Sequence, residues 1–338
     1  MPASNLISLD VAIRNIKSNF KKISNEDVFL QNSLGRCLAE PIYSKIDNPK
    51  YDVSSMDGYA INFKDFTELN SNNKNNSKKT KNFKVVGESS AGNPFEKKIK
   101  KFEAVRIFTG AKVPRGCDVV IIQENVRTSS DQIYISTQSD IIKYQNIRKK
   151  GLDFKKGECI LNIGSLIKSR HLGSISMTGQ TWVTVTRKPV VSILSTGNEI
   201  SRVGEQLTKD QIPSGNNLMI AAMVKEFGGI PRILPITDDD ENNIYDILNK
   251  ALDSDLIVTT GGVSVGKYDL IQKALQKFKG KSQNEFWKIA MRPGKPLLFS
   301  IVDKTPLIGL PGNPVSSGVC SLIFVNVAIR SMLGVTEK

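Results

Sequence analysis

Three short segments of the 338-residue chain combine glycine with hydroxyl and amide side chains. They are Ser195-Thr196-Gly197-Asn198-Glu199, Thr259-Thr260-Gly261-Gly262-Val263-Ser264-Val265-Gly266 and Leu310-Pro311-Gly312-Asn313-Pro314-Val315-Ser316-Ser317. Glycine lets backbone N–H groups approach an anion closely. A helix that starts in the loop adds about half a positive charge. One such loop can be no more than a tight turn. Three of them leaving strands of one sheet point to a binding site for a phosphorylated small molecule.

Acids gather on the same edge: Glu199, Asp238, Asp239 and Asp269. Some have a plainer use. Asp238 to Asp240 could cap a helix over Asn243–Leu252, and Asp269 could simply face a helix dipole. Carboxylates collected beside a phosphate loop need a cation to avoid repelling the ligand, and the donor set suits Mg²⁺. The segment Trp287-Lys288-Ile289-Ala290-Met291-Arg292-Pro293-Gly294-Lys295-Pro296 places Lys288 and Arg292 near a strand end and Lys295 in a turn. These cations could hold phosphate or another oxyanion, or remain solvated surface charges.

The chain contains one histidine, His171. A His-rich metal site is excluded, and a Ser-His-Asp hydrolase would rest on that residue alone. It reads as a surface or helix residue. Cys37, Cys117, Cys159 and Cys320 are far apart and form no CxxC pair, which speaks against a zinc ribbon or a disulfide scaffold.

The elements that must position these residues fall into two regimes. Leu9 to Phe20 has helical spacing, and Ser24 to Leu38 reads as a second helical or turn segment. Short strands follow at Gly58–Phe63, Phe83–Val86, Val105–Phe108, Val119–Ile122 and Gln132–Ser136, a β-rich pattern. Asn146 to Val185 is a glycine-punctuated connecting region. From Pro189 apolar strands alternate with helices. The strands are Val190–Leu194, Ile230–Ile236, Leu256–Thr260, Phe286–Ala290, Leu297–Ile301 and Leu307–Leu310. The helices are Leu218–Phe227, Asn243–Leu252, Tyr268–Phe278 and Val315–Met332. That alternation predicts an α/β domain with a mostly parallel sheet covered on both faces. Ligands of such sheets sit beyond the carboxyl ends of the strands.

The formal net charge is +14. Much of the excess lies in one stretch: Lys74, Lys78, Lys79, Lys81, Lys84, Lys97, Lys98, Lys100 and Lys101. The run Asn70–Asn82 has no apolar period and reads as a solvated loop insertion. No aromatic residues interleave with it, so nucleic acid is not expected. Val315–Ile329, the most apolar stretch, reads as too short for a bilayer and as a buried helix. The start of the chain has no signal-peptide pattern. A cytoplasmic protein with no membrane partner is expected.

The chain resembles the molybdopterin molybdenumtransferases, the molybdenum insertases that include MoeA and the E domain of gephyrin. The motifs that carry the resemblance run in order from Ser55-Met56-Asp57-Gly58-Tyr59-Ala60 through Ala91-Gly92, Thr109-Gly110-Ala111, Val113-Pro114 and Gly116-Cys117-Asp118-Val119-Val120. They continue with the three glycine loops and Met291-Arg292-Pro293-Gly294-Lys295-Pro296. The resemblance implies a multi-domain α/β protein: an elongated linking domain (1–45 with 148–186), an inserted β-rich domain (46–147) and a molybdopterin-binding α/β domain (187–338). It also implies a homodimer whose active site is shared between subunits. Most members carry a further C-terminal β domain, whereas this sequence stops at Lys338.

The implied reaction inserts molybdenum from molybdate into adenylyl-molybdopterin and releases AMP, with Mg²⁺ as cofactor. Positions that match the family's functional residues are Asp57, Thr109, Asp153, Glu199, Asp239, Asp269, Lys288, Arg292, Pro311 and Pro314. Arg292 stands where some members have lysine. Glu199, Asp239 and Asp269 are the candidate Mg²⁺ ligands. Ser195, Thr196, Gly197, Gly261, Gly262, Ser264, Gly266, Lys295, Pro311, Gly312, Asn313 and Pro314 would hold the pterin and its phosphates. A molybdopterin adenylyltransferase and molybdoenzymes are the expected partners. Two rival readings remain: a molybdopterin adenylyltransferase, which lacks the Asp57 motif and the inserted domain, and a non-catalytic molybdopterin-binding scaffold.

Overall fold

Val190–Ser195, Leu256–Thr260 and Thr305–Leu310 are short runs dominated by apolar, largely β-branched residues, the composition of strands buried on both faces. All three form strands in the computed structural model. The structure describes residues 6–71, 80–136, 140–201, 203–261, 270–278 and 283–336. Lys74, Lys78, Lys79, Gly262, Ser264, Gly266 and Asp269 lie outside the described residues, as does the side chain of Lys288.

The chain divides into two compact units. The first comprises Met1–Pro41, Asn162–Leu172 and Trp182–Lys338. It is built on a seven-stranded sheet in the order Leu6–Ile7, Gln283–Ile289, Pro296–Val302, Thr305–Leu310, Leu256–Thr260, Val190–Ser195, Ile230–Ile233. Pro296–Val302 runs antiparallel to both neighbours, and all other pairs are parallel. The sheet is thus mostly parallel, as expected, with one antiparallel strand inside it.

Alternate residues of each strand face opposite layers. Val191, Ile193, Val258, Ile308 and Leu310 pack with Ala12, Ile16, Ile220, Phe324 and Ile329 on one side. Leu194, Ile257 and Leu307 pack with Ile244, Leu248, Ile271 and Leu275 on the other. Helices thus cover both faces, as expected from a βα alternation. Ser8 caps the first helix, Leu9–Asn19, by accepting from Val11 N at 3.4 Å.

The last helix matches the expected Val315–Met332 to within one residue at each end. Pro314–Cys320, a π-helical turn Ser321–Val325 and Asn326–Leu333 join into 20 residues with mean hydropathy 1.5. Length and composition alone would let it cross a bilayer. Its apolar side is occupied, however: Cys320, Phe324, Val325, Ala328, Ile329, Met332 and Leu333 belong to the core beside the sheet.

One correction concerns Ser24 to Leu38. Asn25–Phe29 is a strand, paired antiparallel with Trp182–Thr186, and only Leu30–Asn32 makes a short 3₁₀ turn. A partner more than 150 residues away leaves no local periodicity to read.

The second unit, Ile42–Leu161 with Gly173–Thr181, carries a six-stranded sheet. Its order is Val119–Ile122, Gly58–Ile61, Glu103–Ile107, Thr80–Ser89, Gln132–Ser136, Val126–Ser129. The supposed loop Asn70–Asn82 ends inside this sheet, since Thr80, Lys81 and Asn82 open the Thr80–Ser89 strand. Lys81 is 4% exposed, lies over the Phe66 ring and donates to the Phe66 carbonyl. A long aliphatic stem can be buried this way when its ammonium finds an acceptor.

Candidate active site

Ser195 pairs with Thr260, and Thr260 with Leu310, in the parallel register. All three stand at the carboxyl edge of the sheet, so the glycine loops leave it together. From Val190–Ser195 the chain crosses to Ile230–Ile233 on one side, then returns to Leu256–Thr260 on the other. Loops on either side of such a reversal diverge and open a crevice.

The loops also touch. Thr196 N donates to Thr260 O at 3.1 Å. Gly261 adopts φ +87°, and a Cβ there would lie 2.3 Å from the Thr196 carbonyl oxygen. Only glycine allows that approach. Gly312 packs on Gly261 in turn, its would-be Cβ 3.6 Å from the Gly261 Cα.

The result is a cleft of about 120 Å³, partly open to solvent. Ser195, Thr196 and Glu199 of the first loop line it, with Thr260 and Gly261 of the second and Gly312 and Pro314 of the third. Among the described residues the hydroxyls of Ser195 and Thr196 have no hydrogen-bond partner, although each residue is only 2% exposed. A buried hydroxyl left unsatisfied costs roughly 1–3 kcal/mol. A polar ligand in the cleft would satisfy both.

Residues 212–216 complete the wall, and the sequence reading missed them. Ile212, Pro213, Ser214, Gly215 and Asn216 all line the cleft. The signal in the sequence was a Pro-Ser-Gly-Asn run ahead of the helix Asn216–Glu226, which looks like an ordinary helix start.

The acids lie at the cleft mouth. Thr196 forms a parallel bridge with Thr237, and Asp239 N donates to Asn198 Oδ1 at 3.1 Å. These contacts bring the Asp239 loop to Glu199, whose carboxylate folds back over Gly197. Partial burial, then the Glu199 charge, raises the Asp239 pKa above its ordinary value, with Asp238 adding to the effect. Asp240 has the plainer role: its carboxylate caps the helix Glu241–Lys250, accepting from Asn242 N and Asn243 N at 2.9 Å each. Among the described residues no three His, Cys, Asp or Glu side chains gather into a metal site. Glu199 and Asp239 form a pair, and Asp269 is outside the described residues.

Lys288 is the penultimate residue of the Gln283–Ile289 strand. Arg292 and Lys295 are exposed in the turn that follows, which Ile289 N closes by donating to Lys295 O at 3.0 Å. Asn313 uses its side chain to cap the helix Pro314–Cys320, accepting from Ser316 N at 3.1 Å. Pro311 contributes its carbonyl, which accepts from the Thr260 hydroxyl at 3.3 Å.

In the second unit Gly58 pairs with Ile107, which puts Asp57 and Thr109 side by side beyond the strand ends. Asp57 Oδ1 accepts from Thr109 N and from Thr109 Oγ1, both at 2.8 Å. Those donors, with the Arg106 charge, hold the Asp57 carboxyl below its ordinary range. Arg106 lies against the rings of Tyr59 and Phe108 and donates to the carbonyl of Gly58 and to Gln123. Asp153 stands apart from this pair, its carboxylate taken by Arg148 at 2.6 and 2.7 Å and by Asn48 at 3.0 Å. His171 is a helix residue, as read, with Nδ1 3.1 Å from the Leu166 carbonyl oxygen.

A doubly covered α/β sheet with three glycine loops around one polar cleft, accompanied by a β-rich unit, defines a class of binder for small anionic cofactors. Comparison with known proteins narrows the class. Residues 7–179 match the family described as MoeA N-terminal region (domain I and II), and residues 192–331 match the probable molybdopterin binding domain. The molybdopterin molybdenumtransferase of Staphylococcus epidermidis is 32% identical over 97% of this chain and 76% of its own length. That of Haemophilus influenzae is 36% identical over 90% of this chain and 72% of its own. The crystal structure of the molybdopterin biosynthesis MoeA protein from Pyrococcus horikoshii superposes with a TM-score of 0.82 at 29% identity, covering 98% of this chain and 81% of that one. The chain belongs to the molybdopterin molybdenumtransferase family.

Proposed function

We propose that this protein inserts molybdate-derived molybdenum into adenylyl-molybdopterin and releases AMP, a transferase step of molybdenum cofactor biosynthesis. The observation that carries this reading is the cleft itself: three glycine loops meet there around two buried hydroxyls, Ser195 and Thr196, that lack partners among the described residues.

The residues divide the work by their chemistry. Backbone N–H groups of the glycine loops and the Ser195 and Thr196 hydroxyls bind the phosphates. Arg292 and Lys295, with Lys288, offer cations for the molybdate oxyanion or for charge developing on phosphate. Glu199 and Asp239, with Asp269, would hold Mg²⁺. The crowding that raises the Asp239 pKa suits a hard divalent cation, because two carboxylates repel until one is protonated or metal-bound. Mg²⁺ would neutralise phosphate charge at the scissile anhydride. Asp57, kept ionised by Thr109, serves as a fixed negative group or water-orienting acceptor. No protein nucleophile is needed, because the dithiolene of the substrate captures the metal.

The reading also assigns Asp57 and Thr109 to the site of a second copy of the chain, giving a homodimer. It divides the chain functionally into 1–45 with 148–186, 46–147 and 187–338. It places the protein in the cytoplasm, handing its product to molybdoenzymes. Sedimentation of the purified chain tests the dimer.

The decisive assay supplies adenylyl-molybdopterin, Mg²⁺ and molybdate and follows AMP. Molybdate-dependent AMP release is the expected result. Pyrophosphate release from molybdopterin and MgATP would instead make the protein an adenylyltransferase.

A further inference from the structure

Asn216 is the first residue of the helix Asn216–Glu226, yet its side chain does nothing for that helix. Its amide reaches across the cleft floor instead. Nδ2 donates to the Gly312 carbonyl at 2.7 Å and to Thr260 Oγ1 at 3.1 Å. Thr260, 2% exposed, passes the connection on by donating its hydroxyl to the Pro311 carbonyl at 3.3 Å. One side chain thereby ties the end of the Leu256–Thr260 strand to the Pro311–Gly312 turn. The bonds span 44 and 96 residues of sequence.

We propose that Asn216 is a positioning residue: it sets the separation of the second and third glycine loops and so the shape of the phosphate-binding floor. The chemistry of asparagine fits this use. The amide nitrogen carries two protons in one plane, enough for a carbonyl and a hydroxyl at once. Aspartate would set an anionic oxygen against the Gly312 carbonyl. Leucine, of similar size, would leave the Gly312 oxygen and the Thr260 hydroxyl short of a donor. Both amide protons are already engaged, so Asn216 acts through the loops rather than through a donor of its own. The first loop needs no such tie, because Thr196 N already bonds to the Thr260 carbonyl at 3.1 Å.

This inference rests on the proposed function for its ligand, and the test separates the two. Wild type, Asn216→Leu, Thr260→Val and the double variant are compared in the full chain with AMP as the titrated probe. Each single variant is expected to weaken AMP about tenfold, as the loss of one to two hydrogen bonds implies. The double variant should be no weaker than Asn216→Leu, because both changes break one connection. In the insertion assay KM should rise while turnover at saturation stays within about twofold. Additive losses, or wild-type affinity in Asn216→Leu, would overturn the proposal.

A second measurement needs no ligand. Amide hydrogen exchange at residues 259–261 and at Gly312 and Asn313 should quicken in Asn216→Leu and stay unchanged in the Ile42–Leu161 segment. Unaltered exchange at both loops would sink the inference whatever AMP does. Failure of wild type to bind AMP, with quickened exchange in the variant, would count against the proposed function and leave the clip standing.

Discussion

Gly261 and Thr196 meet backbone to backbone: a methyl group on Gly261 would lie 2.3 Å from the Thr196 carbonyl oxygen. The contact joins the first two glycine loops at the cleft floor. Gly261→Ala must therefore separate them, and it also forces a left-handed φ on a residue with a side chain. We expect a stability loss of about 2 kcal/mol or more and a large drop in AMP affinity. Thermal unfolding and calorimetric titration measure the two. A variant with wild-type affinity would show that the loops need not touch.

Thr109 supplies both hydrogen bonds to Asp57 Oδ1, one from its backbone and one from its hydroxyl. Thr109→Val removes the second. The Asp57 pKa, now depressed, should move back up toward the ordinary carboxylate range. A depressed folded-state pKa stabilises above the unfolded pKa and is lost as pH falls through the folded value. The acid limb of the pH–activity profile should accordingly shift upward in the variant, as should the Asp57 carboxyl titration followed by NMR. No movement in either would mean that the backbone N–H and Arg106 suffice to keep Asp57 ionised.

Glu199 and Asp239 form the acidic pair at the cleft mouth, and burial followed by the Glu199 charge raises the Asp239 pKa. Glu199→Gln removes that charge, so the Asp239 pKa should fall while remaining raised by burial. The sign for stability is opposite to that of Asp57. Ionising Asp239 is harder in the folded state, so the penalty is present above its folded pKa and relieved as pH falls below it. Mg²⁺ affinity should drop at least tenfold in the variant. Titration with Mg²⁺ monitored by NMR reads both quantities, and unchanged Mg²⁺ affinity would remove Glu199 from the ligand set.

Arg187 and Asp255 make a two-point ion pair at 2.7 and 2.6 Å, and Asp255 also accepts from Val190 N at 2.8 Å. The pair fixes the chain where it enters the Val190–Ser195 strand. Asp255→Ala removes the ion-pair partner of Arg187, which keeps only Ser24 Oγ and the Lys188 carbonyl, and strips Val190 N of its carboxylate acceptor. We expect about 2 kcal/mol of destabilisation, read as a lower denaturant midpoint with an unchanged slope. A change under 0.5 kcal/mol would show that water replaces Asp255 at no cost.

Much of the α/β half was legible in the sequence. The Leu256–Thr260 strand, the helix cap at Asp240 and the three glycine loops all depend on local composition and spacing, which the sequence displays directly. Strands buried on both faces give near-continuous apolar runs, and these survive any detail of packing. Reading failed where the deciding contact was remote. Asn25–Phe29 became a strand through Trp182–Thr186, and Lys81 became buried through the Phe66 carbonyl and ring.

The sequence by itself determined which residue types could bind phosphate and the family to which the chain belongs. Those properties reside in side-chain chemistry and motif order, which require no coordinates. Only the tertiary structure decided that Ser195, Thr260 and Leu310 end in register, that Gly261 touches Thr196, and that Asn216 closes the floor. Each of these is a contact between segments tens of residues apart. Their distances follow from sheet pairing and backbone sterics, which no local pattern encodes.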